Sequence, residues 1–534
     1  MKVALLIIAL IVVLPGAHAL AALDVATVTQ LGSDDTNIRN DAVNALVASG
    51  DEAALALLLA VQAGEGSVTA AGRVVIVRGE QVFDAATMAP ITPPPEHFES
   101  IVINNRLRGT LAAAVGALKL LSPDRDTRLA SARAIESTTQ TVVLPLIAKA
   151  LARETDPVIK SSLEQTRASL TLPSTDPAVR LAAVQTLGET SQARFKAVLE
   201  GLLEKDSAGA FMEPDESVRL AAKRSIDAIQ GRLVISDYVG RLFTGLSLGS
   251  ILLLVALGLA ITYGLLGVIN MAHGEMLMIG AYATFVTQQL FKTYAPGLFD
   301  WYLVAAIPVA FLAAAVVGMA LERTVIRWLY GRPLETLLAT WGISLFLIQL
   351  VRQIFGAQNA EVANPSWMSG GITLPNLVLP YNRIVIIGFS MFVLLLVWVI
   401  LKRTRLGLFV RAVTQNRAMA SCVGVPTARI DLMAFGLGSG IAGLAGVALS
   451  QIGNVGPDMG QGYIIDSFMV VVTGGVGQLA GTVYAALGLG VLSKFLEPHI
   501  GAVLTKILVL VLIIAFIQKR PQGMFALKGR TVEA

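Results

Sequence analysis

Between residues 257 and 282 the chain reads LGLAITYGLLGVINMAHGEMLMIGAY, an apolar run interrupted by Asn270, His273 and Glu275. A bilayer core penalises such groups by several kcal/mol when they face lipid. They therefore face protein or water, where an amide, an imidazole and a carboxylate supply donors and acceptors for a polar solute. Glycines at 258, 264, 267, 274 and 280 let helices approach closely, or let a helix break so that freed backbone groups line a cavity. Each polar residue also has a plainer reading. Glu275 can start a helix through its dipole, His273 can be a hydrogen-bonded structural residue, and Asn270 can join helices.

A second segment of this kind runs Thr473-Gly-Gly-Val-Gly-Gln-Leu-Ala-Gly481, with Thr473, Gly474, Gly475 and Gln478 as candidate pathway residues. Two Gly-interrupted apolar segments, one in each half of a bundle, point to a solute site between them. Bond-making chemistry has no comparable signature. The single Cys422 rules out an intrachain disulfide or thiolate metal site, and the histidines at 18, 97, 273 and 499 lack ligand spacing. No cofactor or metal is implied. The chain contains no Gly-Lys dipeptide and hence no GxxxxGK[ST] phosphate loop, so it is not its own ATPase.

Two kinds of polymer carry these residues. Residues 1–241 hold 23 Lys+Arg against 27 Asp+Glu, whereas residues 242–534 hold 18 against 10. With 54% hydrophobic residues overall, the first part reads as water-soluble and the second as a bundle of membrane helices with basic loops. The basic excess flanks membrane spans, so nucleic acid is not a predicted partner. Apolar runs near 242–264, 265–290, 302–322, 336–355, 383–401, 431–452, 466–494 and 501–518 predict about eight spans. The 466–494 run must cross twice or fold back, its glycines making a turn at membrane depth.

Residues 1–22, with Lys2, an apolar run and Ala17-His18-Ala19, read as a signal peptide that exports residues 23–235. In that domain an Asp-x-x-apolar-basic pattern recurs at Asp35, Asp176 and Asp215, with weaker copies at Asp124 and Asp156. Helical-hairpin repeats of the HEAT type have this signature, the Asp suiting a helix N-terminus. A small β insert is predicted near 73–99. The repeat domain is either a docking surface for another exported protein or a solvated cap.

The basic stretch from Arg405 to Pro426, closed by Gly424, reads as a short amphipathic helix that inserts into a cytoplasmic partner or lies on anionic lipid. Taken together, GVINMAHGEMLMIGAY, the GLFVRAV to ASCVGV loop, TGGVGQLAGT and the closing RPQGMF resemble the permease subunits of ABC importers for branched-chain amino acids and related solutes. The likeness covers residues 240–530. With its preceding repeat domain, the chain looks like the urea-permease branch of that family.

This resemblance implies an all-α polytopic permease with broken or re-entrant segments, multi-pass in the bacterial inner membrane with its N-terminal domain periplasmic. It implies a second homologous permease, two cytoplasmic ATP-binding subunits and an exported solute-binding protein. It also maps a coupling helix to about 411–425, with Arg411, Arg417, Ala420 and Gly424 as coupling residues. Urea is the leading expected substrate, because a neutral solute suits spans with few embedded cations. Branched-chain amino acids or short amides are the alternative, and a membrane-anchored scaffold acting through its repeat domain is a rival of another class.

Overall fold

The computed structural model describes residues 23–525 apart from 80, 96, 137, 139, 208, 268 and 375, so the predicted signal peptide lies outside the described residues. The chain divides into two compact units at Leu233 and Val234. In the first, helices α1 (Val25–Gln30), α2 (Thr36–Ser49) and α3 (Glu52–Gln62) precede strands β1 (Gly66–Thr69), β2 (Val74–Arg78), β3 (Gln81–Asp84) and β4 (Phe98–Ser100). Helices α4 (Asn105–Leu118), α5 (Arg125–Ile135), α6 (Leu144–Arg153), α7 (Pro157–Thr171), α8 (Pro177–Gly188) and α9 (Ala193–Leu202) follow, and α10 (Glu216–Leu266) begins.

Each Asp of the recurrent pattern accepts from a backbone N–H in the first turn of a helix. The distances are 2.8 Å for Asp35, Asp124, Asp156 and Asp215, and 2.9 Å for Asp176. Such caps satisfy donors that a helix start leaves unpaired. The arginine four residues later folds back in several copies: Arg128 donates to the carbonyls of Ser122 and Pro123, Arg180 to Ser174 and Thr175, and Arg219 to Glu213 and Pro214. Arg128 also pairs with Glu154, and Arg180 with Glu213, which ties successive helices together. Apolar faces close two cores, one around Leu57, Leu111 and Ile147, the other around Val184, Leu199 and Ile229.

The β insert is larger than expected: four antiparallel strands in the order β3-β2-β1-β4, starting at Gly66 rather than near 73. Gly66-Ser-Val-Thr69 reads as turn-like on composition, and its pairing with Val74–Ile76 on one side and Phe98–Ser100 on the other makes it a strand.

The second unit contains the rest of α10 and the helices α11 (His273–Tyr294), α12 (Tyr302–Thr324), α13 (Pro333–Phe355), α14 (Tyr381–Arg403), α15 (Arg405–Gln415), α16 (Arg417–Cys422), α17 (Thr427–Ser450), α18 (Met459–Gly474), α19 (Leu479–Ile500) and α20 (Ala502–Lys519). Among the described residues, seven helices are long and apolar enough to cross a membrane. The permease half is a polytopic helical bundle, but two expectations need correction. Strands β5 (Gly371–Leu374) and β6 (Leu377–Pro380) form a hairpin, so with the insert the chain is not all-α. The expected 265–290 span starts as helix only at His273, after a break marked by Gly267 at φ 67°. The 466–494 run turns at its glycines as expected, forming two helices parted at Gly475 and Gly477, which adopt φ values of 101° and 80° that disfavour any side chain.

Around α17 the helices pack at backbone distance. A Cβ on Gly280 of α11 would overlap the Gly443 carbonyl oxygen of α17, and one on Gly443 would lie 2.7 Å from the Ala310 carbonyl oxygen of α12. Lipid tails are as apolar as leucine, so small residues that permit such contact are what join these helices.

Candidate functional site

His273, Gly274 and Glu275 form the first turn of α11, and the chain reaches them through the bend after α10. Asn270 and Met271 set that bend: the Asn270 side-chain oxygen accepts from the Ala272 N–H at 3.0 Å, and the Met271 N–H donates to Thr340 Oγ1 of α13 at 3.1 Å. Asn270 is 1% exposed, and His273 and Glu275 are fully buried. The His273 Nε2 lies 3.2 Å from the Val255 carbonyl of α10. Glu275 Oε1 accepts from Ser344 Oγ of α13 at 2.8 Å. Glu275 Oε2, Asn270 Nδ2 and His273 Nδ1 are buried with no hydrogen-bond partner among the described residues.

The helix dipole stabilises a first-turn carboxylate by roughly 0.3–1 kcal/mol, whereas burial of an ionisable group within a span costs several. A role in starting the helix therefore does not account for Glu275 by itself. Each of the three keeps one buried polar atom unpaired, an acceptor oxygen, an amide donor and an imidazole nitrogen, with His273 held against α10, Glu275 against α13 and Asn270 by the Ala272 N–H of its own bend.

Sequence reasoning missed Ser344 and Thr340. They share a signal, since Thr336, Thr340 and Ser344 recur at four-residue spacing on one face of α13, and all three are buried. Polar residues at helical spacing in a span mark the face turned away from lipid.

The second candidate segment sits elsewhere. Gly274 crosses α18 at Gly460, where a Cβ on either would overlap the other's carbonyl oxygen. Gly460 and Gly474 are 14 residues apart on α18, about 21 Å at 1.5 Å per residue. Thr473, Gly474, Gly475 and Gln478 are therefore near the far end of α18, not beside Glu275. The Met524 N–H donates to the Thr473 carbonyl at 2.8 Å, and the Cβ position of Gly475 is filled by the Phe525 carbonyl. The turn thus packs on RPQGMF, just beyond the basic Lys519–Arg520 end of α20. It meets the first segment at Gly264, whose Cβ position is 2.8 Å from Gly477 Cα. Two chain breaks and the 520–525 loop thus pack together at this end of the bundle.

The expected single coupling helix is two, α15 and α16, separated at Asn416, whose side chain caps Met419 N–H at 2.9 Å. Gly424 ends α16 at φ 86°. Arg411 is exposed, but Ala420 is only 4% exposed and faces inward. Arg417 is engaged by Asp431 of α17 and stacks on Tyr330. The large apolar side chains this segment presents outward are Leu408, Met419 and Val423.

A family profile described as branched-chain amino acid transport system, permease component, matches residues 241–517. The chain belongs to this family. The permease is 29% identical over 296 residues to the high-affinity branched-chain amino acid transport system permease protein BraD of Pseudomonas aeruginosa, covering 54% of this chain and 96% of that one. It is 28% identical over 292 residues to the corresponding LivH of Salmonella typhimurium, covering 54% and 94%. A shorter stretch of 112 residues is 32% identical to the ribose import permease protein RbsC of Escherichia coli, covering 20% and 35%. It is thus a multi-pass membrane transport component, not an enzyme, and ATP hydrolysis belongs to separate subunits. The expectation of urea finds no support in these relatives, whose names fit the branched-chain alternative better.

Proposed function

We propose that this chain is the membrane permease subunit of an ATP-driven importer of branched-chain amino acids, with a solute path that passes Glu275 between α11, α13 and α18. The family match over residues 241–517 carries this reading. The buried cluster agrees with it, because the unpaired Glu275 oxygen suits an α-ammonium group and Asn270 Nδ2 suits a carboxylate. A second homologous permease, two ATP-binding subunits and an exported solute-binding protein complete the importer, the ATP-binding subunits meeting α15 and α16 through Leu408, Met419 and Val423. Residues 23–235 form an exported helical-repeat domain that contacts other exported proteins.

A second reading, import of urea, rests on the resemblance of a permease with a preceding repeat domain to the urea branch of the family. The matched stretch leaves out residues 1–240, so an additional domain distinguishes this chain from permeases matched along 94% or 96% of their length. Competitive uptake separates the two. Cells carrying the complete importer take up labelled leucine, and excess unlabelled leucine, isoleucine or valine competes while excess urea does not. Labelled urea uptake that is indifferent to leucine would reverse the assignment.

A further inference from the structure

At the basic end of the bundle, four side chains connect three elements. Glu322, in the last turn of α12, is 3% exposed and accepts from the Tyr330 hydroxyl at 3.0 Å. The Tyr330 ring lies 5.0 Å from the Arg417 guanidinium, at the start of α16. Both terminal nitrogens of Arg417 in turn bond the two oxygens of Asp431, which is 1% exposed near the start of α17. A two-point guanidinium–carboxylate pair has fixed geometry, so α16 cannot shift relative to α17 without breaking it or carrying α17 along.

Helix α17 leads from this cluster to the buried cluster on α11. A Cβ on Gly438 would lie 2.7 Å from the Gly258 carbonyl of α10, and one on Gly258 would meet the His273 ring at 3.0 Å. Further along, the Cβ position of Gly446 falls on the Leu277 carbonyl of α11. Contacts this close leave no slack, since a side-chain gap is absent on both sides. A displacement of α17 must therefore be taken up by α10 and by the turn that holds His273 and Glu275.

We propose that Arg417 and Asp431 form a latch that transmits movement of the α15–α16 segment through α17 to the Glu275 cluster, with Tyr330 and Glu322 anchoring the same arginine to α12. Arg417 acts as a positioning residue: its side chain is 45% exposed but its guanidinium is held by Asp431 and by the Tyr330 ring, and the exposed Met419 and Val423 are left to meet the moving partner. This rests on the importer reading above.

The test uses the complete importer in proteoliposomes, measuring basal ATPase, its stimulation by leucine-loaded binding protein, and leucine uptake. Arg417→Ala and Asp431→Asn are expected to keep assembly and basal ATPase but lose at least tenfold in stimulated uptake. The exchange Arg417→Asp with Asp431→Arg is expected to recover a substantial part, and Tyr330→Phe to give an intermediate loss. Assembled single variants with wild-type stimulation and uptake would overturn the latch. So would failure of both single variants and the exchange to assemble, which would assign the pair to folding alone. A wild-type complex without ATP-driven leucine uptake would instead count against the importer reading.

Discussion

At the scale of single residues, burial decides what the types alone leave open. Asn270, His273 and Glu275 are conspicuous because polar groups interrupt an apolar run, but three plain structural readings compete there. The structure separates them: Asn270 shapes the bend, His273 faces α10, and Glu275 keeps one oxygen without a partner among the described residues. Glu275→Gln, which preserves the shape and one acceptor, should lower uptake about tenfold while the protein still assembles, measured as initial uptake rate per assembled complex. Ser344→Ala should have a smaller effect in the same assay, costing about 1 kcal/mol for one lost hydrogen bond. In the first unit, the Arg180 guanidinium holds the Glu213 carboxyl below its ordinary 4.5, and Arg128 does the same for Glu154. A carboxylate with a lowered folded pKa contributes stability that is complete above about pH 4.5 and fades as pH falls through the folded value. Resistance of the first unit to proteolysis should therefore drop below pH 4.5 in the wild type. Arg180→Ala should weaken it already at pH 7, by about 3 kcal/mol, because a nearly buried Glu213 loses its partner.

Elements come next, and here the closeness of backbones is the governing quantity. Gly280→Val should disrupt the α11–α17 crossing, since even a Cβ would collide with the Gly443 carbonyl. Forcing helices apart costs about 1–3 kcal/mol or more per site, read as loss of folded protein on detergent size-exclusion. On α16, orientation separates two substitutions that look alike in the sequence. Met419→Asp with Val423→Asp alters exposed positions and should leave the permease folded while ATP-binding subunits no longer co-purify. Ala420→Asp would bury a charge and should reduce folded yield instead. The amphipathic pattern of 405–426 was legible, but the kink at Asn416 and the inward turn of Ala420 follow from a capped helix start and from contact with α17. Likewise the break at Gly475–Gln478 was visible in the glycines, whereas its place beside Phe525 was not, because distant segments meet there.

For the molecule as a whole, charge and apolarity divide the chain near residue 241, and the family match begins at that residue. The positive-inside rule predicts a cytoplasmic location for the basic end of the bundle. The only cysteine, Cys422, is exposed on α16 at that end. A membrane-impermeant maleimide should therefore label inverted vesicles and leave intact cells unlabelled; labelling from outside would reverse the orientation. By itself the sequence determined that there is a membrane bundle, roughly where its helices run, and which polar groups are anomalous within it. Those properties are local: hydrophobic run length, cap residues and glycine placement act over a few residues. What only tertiary structure decided is which groups meet. Ser344 reaches Glu275 across 69 residues, while Gly474, a candidate of the same kind, ends about 21 Å along α18 from the Gly460 crossing with α11. Contacts between distant segments depend on helix rotation and crossing, which the side chains of every neighbouring helix set together.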